Sequence, residues 1–130
     1  MVAALTHAET EILIDGLADD VAFVWVLVHL GLRGNPPDDS GPPRAEDVDA
    51  ALRSLDKLSR AGLLMVGHME YIDGGPSGRV APVKHVEDPI DEIADRVRTA
   101  CRSGADWEWS CWVVNTPAGS EVARSAIQST

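Results

Sequence analysis

Residues 58–67, LSRAGLLMVG, join the end of a helix to the start of a strand, and this junction decides the expected fold. Before the junction, the segment 45–61 has apolar residues at helical spacing, which predict a helix with one buried stripe. That stripe consists of Val48, Ala51, Leu52, Leu55 and Leu58. Gly62 follows in the position where a glycine commonly ends a helix. After it, residues 63–72, LLMVGHMEYI, predict a β-strand.

Two helices are expected before this junction. Thr6 and Glu9 have the spacing of a capping box, which predicts the start of a helix over 7–17. The next helix is expected over 20–33, where apolar residues cover nearly every side and indicate a central position in the core. Residues 35–44, NPPDDSGPPR, are rich in proline and predict a loop between this helix and the next.

Beyond the first strand, the glycine-rich residues 73–78, DGGPSG, predict a turn, and residues 79–86 predict a second, weaker extended segment. A helix is expected over 88–103. Asp88 has a side chain that suits its N-cap, and Pro89 suits its first helical position.

The end of the chain is expected to add one strand and one helix. Residues 108–115 alternate enough in polarity to predict the strand. Thr116 is a typical N-cap residue and Pro117 a typical first helical residue, so together they predict a final helix that ends near Ile127.

The order of these elements, with LSRAGLLMVG at 58–67 and WVVNTPAGSEVA at 112–123, resembles the winged-helix fold. In that fold a recognition helix leads into a β-hairpin called the wing. Over 45–127 the chain is also similar to a group of small uncharacterised actinobacterial proteins. The resemblance implies an α+β class with one winged-helix-like domain over 1–130. Its small antiparallel sheet is expected to have an extra helix, 88–103, inserted between the wing strands.

The charge and the cysteine content of the chain limit which cellular compartment and which kinds of partner are expected. The chain has 130 residues and a net charge of −10, so it has no general attraction to nucleic-acid phosphates or anionic membranes. Two cysteines are too few for a disulfide framework, which favours free thiols in a reducing cytosol. No basic leader precedes an apolar run, and no apolar stretch is long enough to span a bilayer. We therefore expect a cytoplasmic protein with no cofactor and no membrane association.

Basic residues on the 45–61 helix allow a DNA-binding interpretation. Three of them lie on one side, opposite the apolar stripe, and the wing adds two more. The candidate DNA-binding residues are Arg53, Lys57, Arg60, Arg79 and Lys84. The alternative is a solvated face of ion pairs, because Asp49 and Asp56 each stand four residues before an arginine. Net charge over 44–61 is zero, which favours this alternative.

Two patterns in the sequence could indicate a metal site or a catalytic thiol, but each has a simpler explanation. A hairpin centred near Pro76 would place His68 opposite His85, and neighbouring glutamates could complete a metal site. The same alternation of histidine and glutamate is also common on a solvent-facing strand edge. Cys111 lies in an apolar strand, where burial raises a thiol pKa and opposes nucleophilic chemistry. We expect no enzyme activity and no bound metal.

The four tryptophans carry the favoured interpretation. Trp25 is expected in the core. Trp107 and Trp109 are predicted on one face of the last strand and Trp112 on the other, so not all of them can point inward. An exposed tryptophan is a typical anchor for a protein partner, although Trp112 could instead pack under the 88–103 helix.

The sequence thus favours a non-enzymatic protein-interaction or regulatory module of unknown pathway, with Trp107, Trp109 and Trp112 as the candidate binding residues. A protein partner of unknown identity is expected, and a homodimer is an open alternative. The second candidate is a winged-helix DNA-binding transcriptional regulator, for which DNA would be the partner.

Overall fold

A computed structural model describes residues 4–37, 41–71 and 83–129. Within these ranges the chain forms five α-helices, four β-strands and a 3-10 turn at Trp107–Trp109. The helices are α1 His7–Asp15, α2 Phe23–His29, α3 Ala45–Arg60, α4 Ile90–Ser103 and α5 Pro117–Gln128. The strands are β1 Val21–Ala22, β2 Leu64–Tyr71, β3 Val83–Glu87 and β4 Trp112–Asn115. The expected α+β class is confirmed. No helix in the described ranges has both the length and the apolar character needed to cross a membrane.

The four strands form one antiparallel sheet in the order β1-β4-β2-β3. Val113 of β4 is paired with Val21 on one side and with Val66 on the other. Since paired residues point to the same side of a sheet, these valines and Leu64 define an inner face. All four side chains are buried.

The hydrophobic core lies between this inner face and the helices. The apolar stripe predicted for α3 is buried, as its spacing indicated. Around it, α1, α2 and α4 contribute further side chains that are completely shielded from solvent. These are Ile12, Leu13, Phe23, Val26, Leu27, Ile93 and Val97.

Several helix ends lie where the capping residues in the sequence predict them. The capping box is present, because Glu9 N–H donates to Thr6 Oγ1 and Thr6 N–H donates to the Glu9 carboxylate. Thr116 caps α5 by accepting a hydrogen bond from Gly119 N–H at 3.1 Å. Gly104 ends α4 in a left-handed conformation with φ of 76°, which glycine adopts without strain.

Thr116 also joins the start of α5 to the junction between α3 and β2. Its hydroxyl donates to Gly62 O at 2.6 Å, and its backbone N–H donates to Leu63 O at 3.1 Å. Gly119 packs so closely here that a Cβ atom would lie 1.8 Å from Leu63 O. The α3–β2 junction and the start of α5 are therefore in direct backbone contact.

Three expectations about element bounds are wrong. The predicted helix over 20–33 is shorter, because residues 21–22 pair with β4 as a strand. The predicted strand over 108–115 begins only at Trp112, since the chain first makes the 3-10 turn. Asp88 does not cap α4 with its side chain, and Pro89 occupies the N-cap position instead. The predicted turn over 73–78 and residues 79–82 of the second extended segment lie outside the described residues.

Replacement of Gly119 by alanine is expected to destabilise the protein by about 1–3 kcal/mol, the usual cost of overpacking. The new methyl group would collide with Leu63 O, a backbone atom that cannot move independently of the junction. At an unconstrained helical position the same change would stabilise by about 1 kcal/mol, so the sign of the effect is diagnostic.

The measurement is the free energy of unfolding from urea titration followed by circular dichroism. Gly34→Ala is the matched control, because the nearest atom to its new Cβ, Pro36 O, is 3.7 Å away. The close contact at Gly119 would be refuted by a Gly119→Ala variant that unfolds at the same or a higher urea concentration than wild type.

Candidate interaction surface

The outer face of the sheet is only half-buried, in contrast to the inner face. Strand alternation and register place Met65 and Met69 of β2 on it, next to Trp112 and Val114 of β4. All four of these side chains are partly exposed to solvent. We call this region, together with Trp109, the outer tryptophan face.

Trp109 is the most exposed large apolar side chain of the outer tryptophan face, with 54% of its surface accessible. Its ring stacks on that of Trp112, with 5.7 Å between ring centroids and 20° between planes. Such offset aromatic pairs are favourable by about 0.5–1.5 kcal/mol beyond their burial. The stack therefore holds an otherwise exposed indole in a defined orientation above the sheet.

The 3-10 turn explains why neighbouring tryptophans differ in exposure. Asp106 enters the turn in a left-handed conformation with φ of 52°. Ser110 then donates its hydroxyl to Trp107 O at 2.7 Å, which closes the turn. Trp107 points inward and is 5% exposed, while Trp109 points out. The chain re-enters the core at Cys111, whose carbonyl accepts from Phe23 N–H.

Of the three predicted binding residues, the structure thus brings two together at the surface. Trp109 and Trp112 are stacked, whereas Trp107 is buried against the Arg33 guanidinium, 4.8 Å from the ring centroid. The expectation that at least one of the three is exposed is confirmed. The expectation of a core position for Trp25 is wrong, because this residue is 36% exposed on α2.

Polar groups at the margin of the outer tryptophan face include a histidine and two carboxylates. His85 Nε2 of β3 lies 3.0 Å from Trp112 O of β4. The strand between them, β2, has Gly67 opposite Trp112, so no side chain separates the two groups there. Asp20 lies close enough to His85 to be affected by its charge. Partial burial raises the pKa of Asp20, with the His85 charge opposing and Asp19 adding to this shift. Glu87 is exposed on β3.

The candidate DNA-binding residues are largely engaged in ion pairs. Lys57 Nζ lies 2.7 Å from Oε1 of the buried Glu9 and donates to Ala4 O at 2.8 Å. Arg60 Nε donates to both carboxylate oxygens of Asp56 at 2.9 Å, which confirms the predicted pair four residues apart.

The remaining described basic candidates lie on different elements. Arg53 is exposed on α3 and Lys84 is exposed on β3, while Arg79 lies outside the described residues. Asp49 pairs with Arg98 of α4 at 3.3 Å, although its spacing predicted a pair with Arg53. Arg53 shares a groove between α3 and α4 with Arg60 and Arg98, and the acidic residues Asp49, Asp56 and Asp91 line the same groove.

His68 and His85 do not face each other. The register pairs His85 with Met69 and His68 with Val86, so the two imidazoles lie on opposite sides of the sheet. The predicted facing arrangement is wrong by one residue. Among the described histidine, cysteine and acidic side chains, no group of three or more is arranged to hold a metal ion.

His68 instead belongs to a cluster of charges between β2 and α4. Its Nδ1 lies 2.6 Å from Asp88 Oδ2, which also accepts from Arg96 at 3.2 Å. Glu70 lies 3.3 Å from His68 Nε2. The hydrogen bond to Asp88 is the main reason that the pKa of His68 is raised, and the same bond lowers the pKa of Asp88. This cluster also accounts for the Asp88 side chain not capping α4.

Comparison of the chain with protein-family models, with curated proteins and with solved structures finds no match.

The stabilising effect of the His68–Asp88 pair is expected to depend on pH. Because the pKa of His68 is raised, the contribution of His68 to the free energy of unfolding is complete below pH 6.5. This contribution is lost as pH rises through the raised pKa. Because the pKa of Asp88 is lowered, the contribution of Asp88 to the free energy of unfolding is present above pH 3.8. This contribution is lost as pH falls through the lowered pKa. His68→Gln should therefore destabilise most between pH 3.8 and 6.5, and progressively less above that range.

Urea unfolding of wild type and variant across this pH range provides the test. His7→Gln is the control, since the His7 side chain is 90% exposed and contacts a carboxylate only at 3.5 Å. A loss of stability in His68→Gln that is constant with pH would contradict the account of this cluster.

Proposed function

We propose that the protein is a non-enzymatic protein-interaction module and that the outer tryptophan face is its binding surface. The observation that carries this proposal is the stacked pair of Trp109 and Trp112, with Trp109 54% exposed above a half-buried sheet face. Tryptophan is enriched among the few residues that dominate binding energy at protein interfaces. Methionine, present here at Met65 and Met69, is also enriched in interface cores and adapts its shape to a partner.

The arrangement of Trp109 favours binding over a purely structural role. Its neighbour Trp107 already fills the buried position in the turn, and Ser110 and Cys111 return the chain to the core. The Trp109 ring adds a stacking contact but leaves half of its own surface in water. A rigid, partly exposed indole loses little conformational entropy on binding, which makes it a suitable anchor.

The state of the two thiols supports the absence of cysteine-based catalysis. Burial raises the pKa of Cys101 to about 11 and that of Cys111 to about 12. Both thiols are therefore protonated near neutral pH and are poor nucleophiles.

We also propose a winged-helix-like arrangement for the frame that presents this surface. The resemblance implies β2 and β4 as the strands of the wing. These two strands pair with each other, and both β3 and α4 lie between them in sequence. The short β1 lies beside β4 and immediately before α2. This order favours DNA binding through α3 as the second candidate function. The net charge of −10 and the ion pairs of Lys57 and Arg60 weigh against it.

Replacement of Trp109 by alanine is expected to abolish capture of a specific protein from a lysate of the native host. Truncation of a tryptophan anchor typically costs about 2 kcal/mol or more, which is about 30-fold in affinity. The fold should survive, because Trp109 is largely exposed. The measurement is affinity capture with quantitative mass spectrometry, comparing the variant with wild type.

Trp25→Ala is the matched control, since it removes a second partly exposed tryptophan from a different element, α2. Proteins that are lost with Trp109→Ala but retained with Trp25→Ala identify the partner of the outer tryptophan face. The proposal fails if capture is unaffected by Trp109→Ala. Co-purified DNA that is lost with Arg53→Glu would favour the DNA-binding candidate instead.

A further inference from the structure

The outer tryptophan face has carboxylates at its margin and no lysine or arginine among its described strand residues. Across the described strand residues of this face, β2 contributes methionines and Gly67, β4 contributes Trp112 and Val114, and neither contributes a lysine or arginine. Asp20 and Glu87 place carboxylates at this margin. His85, whose charge acts on Asp20, is directed to the Trp112 carbonyl. The surface is thus apolar at its centre and acidic at its edges.

This charge distribution disfavours a second copy of the chain as the partner of the outer tryptophan face and favours a basic protein. A symmetric dimer places the same patch against itself, so the acidic margins of two copies would approach each other. Each copy also carries a net charge of −10. Burial of Asp20 by an apolar or acidic surface would increase a desolvation penalty that is already present. A partner that brings positive charge would offset both effects.

The exposed ring of Trp109 fits the same kind of partner. A guanidinium or ammonium group placed over a tryptophan ring is attracted by the negative face of the π system. The protein already contains one such contact, between Arg33 and Trp107, with 4.8 Å from Cζ to the ring centroid. The stack on Trp112 covers one face of Trp109, and the partial exposure of Trp109 leaves ring surface available to a ligand.

We propose that the outer tryptophan face binds a basic segment of another protein, in which an arginine or lysine stacks on Trp109 and neighbouring apolar side chains contact Met65, Met69 and Trp112. Further basic side chains of that segment pair with Asp20 and Glu87. This inference rests on the proposed function, because it specifies the partner of the same surface.

The test uses three synthetic peptides of equal length, in which leucine alternates with arginine, with citrulline or with glutamate. Citrulline keeps the shape of arginine but removes its charge. Binding is measured by fluorescence anisotropy of labelled peptide at physiological salt. We expect the arginine peptide to bind at least about tenfold more tightly than the citrulline peptide, and the glutamate peptide not to bind.

Variants separate specific recognition from general attraction to an acidic protein. Trp109→Ala leaves the net charge unchanged and should weaken binding of the arginine peptide about tenfold. Asp20→Asn combined with Glu87→Gln should also weaken it. Glu121→Gln is the control, because the Glu121 side chain is 74% exposed on α5, outside the sheet, and its change should have little effect.

Each contrary outcome has a defined meaning. Equal binding of the arginine and citrulline peptides, both lost in Trp109→Ala, would overturn the basic partner while the binding surface itself stands. Binding of the arginine peptide that is unaffected by Trp109→Ala, or no binding at all, would also overturn the inference, and the capture experiment would still judge the proposed function separately. Self-association in sedimentation velocity that is lost in Trp109→Ala would identify a second copy as the occupant and contradict the inference.

Discussion

The contact between the α3–β2 junction and the start of α5 determines which side chains the sheet presents to solvent. Thr116 is bonded to both Gly62 and Leu63, and Gly119 packs against the Leu63 carbonyl. This contact holds β4 beside β2 in a single register, with Val113 inward and Trp112 outward. A slip by one residue would exchange the two faces of β4 and bury the indole at the expense of the valine.

The outer tryptophan face follows from this register and from the 3-10 turn that precedes β4. The turn directs Trp107 into the core and Trp109 over Trp112, so one short segment supplies both a core residue and a surface anchor. The basic residues of α3 are arranged differently. Lys57 stabilises the buried carboxylate of Glu9, which ties α3 to the first turn of α1. Lys57, which the sequence offers as a candidate DNA-binding residue, thus stabilises the contact between two helices.

The sequence predicted features that depend on local interactions. The α3 stripe, the Thr6 capping box and the Thr116 cap each involve residues within a few positions of one another, and all three are confirmed. Features that depend on distant pairing were missed. The two-residue β1 exists because it pairs with β4, about ninety positions away, which overrides helical propensity. The facing of His68 and His85 was wrong because nothing local to β2 and β3 sets their register.

The exposure of the tryptophans is only partly predictable from the sequence, because Trp107–Trp109 form a 3-10 turn, in which side chains do not alternate as they do in a strand. Asp106 in the left-handed region was the feature without a clear signal in the sequence. The most direct test of the account is NMR of the four indole N–H signals with a soluble nitroxide, assigned by single Trp→Phe variants. We expect the strongest broadening for Trp109 and the weakest for Trp107. Equal protection of the Trp109 and Trp107 signals would contradict the surface position of Trp109.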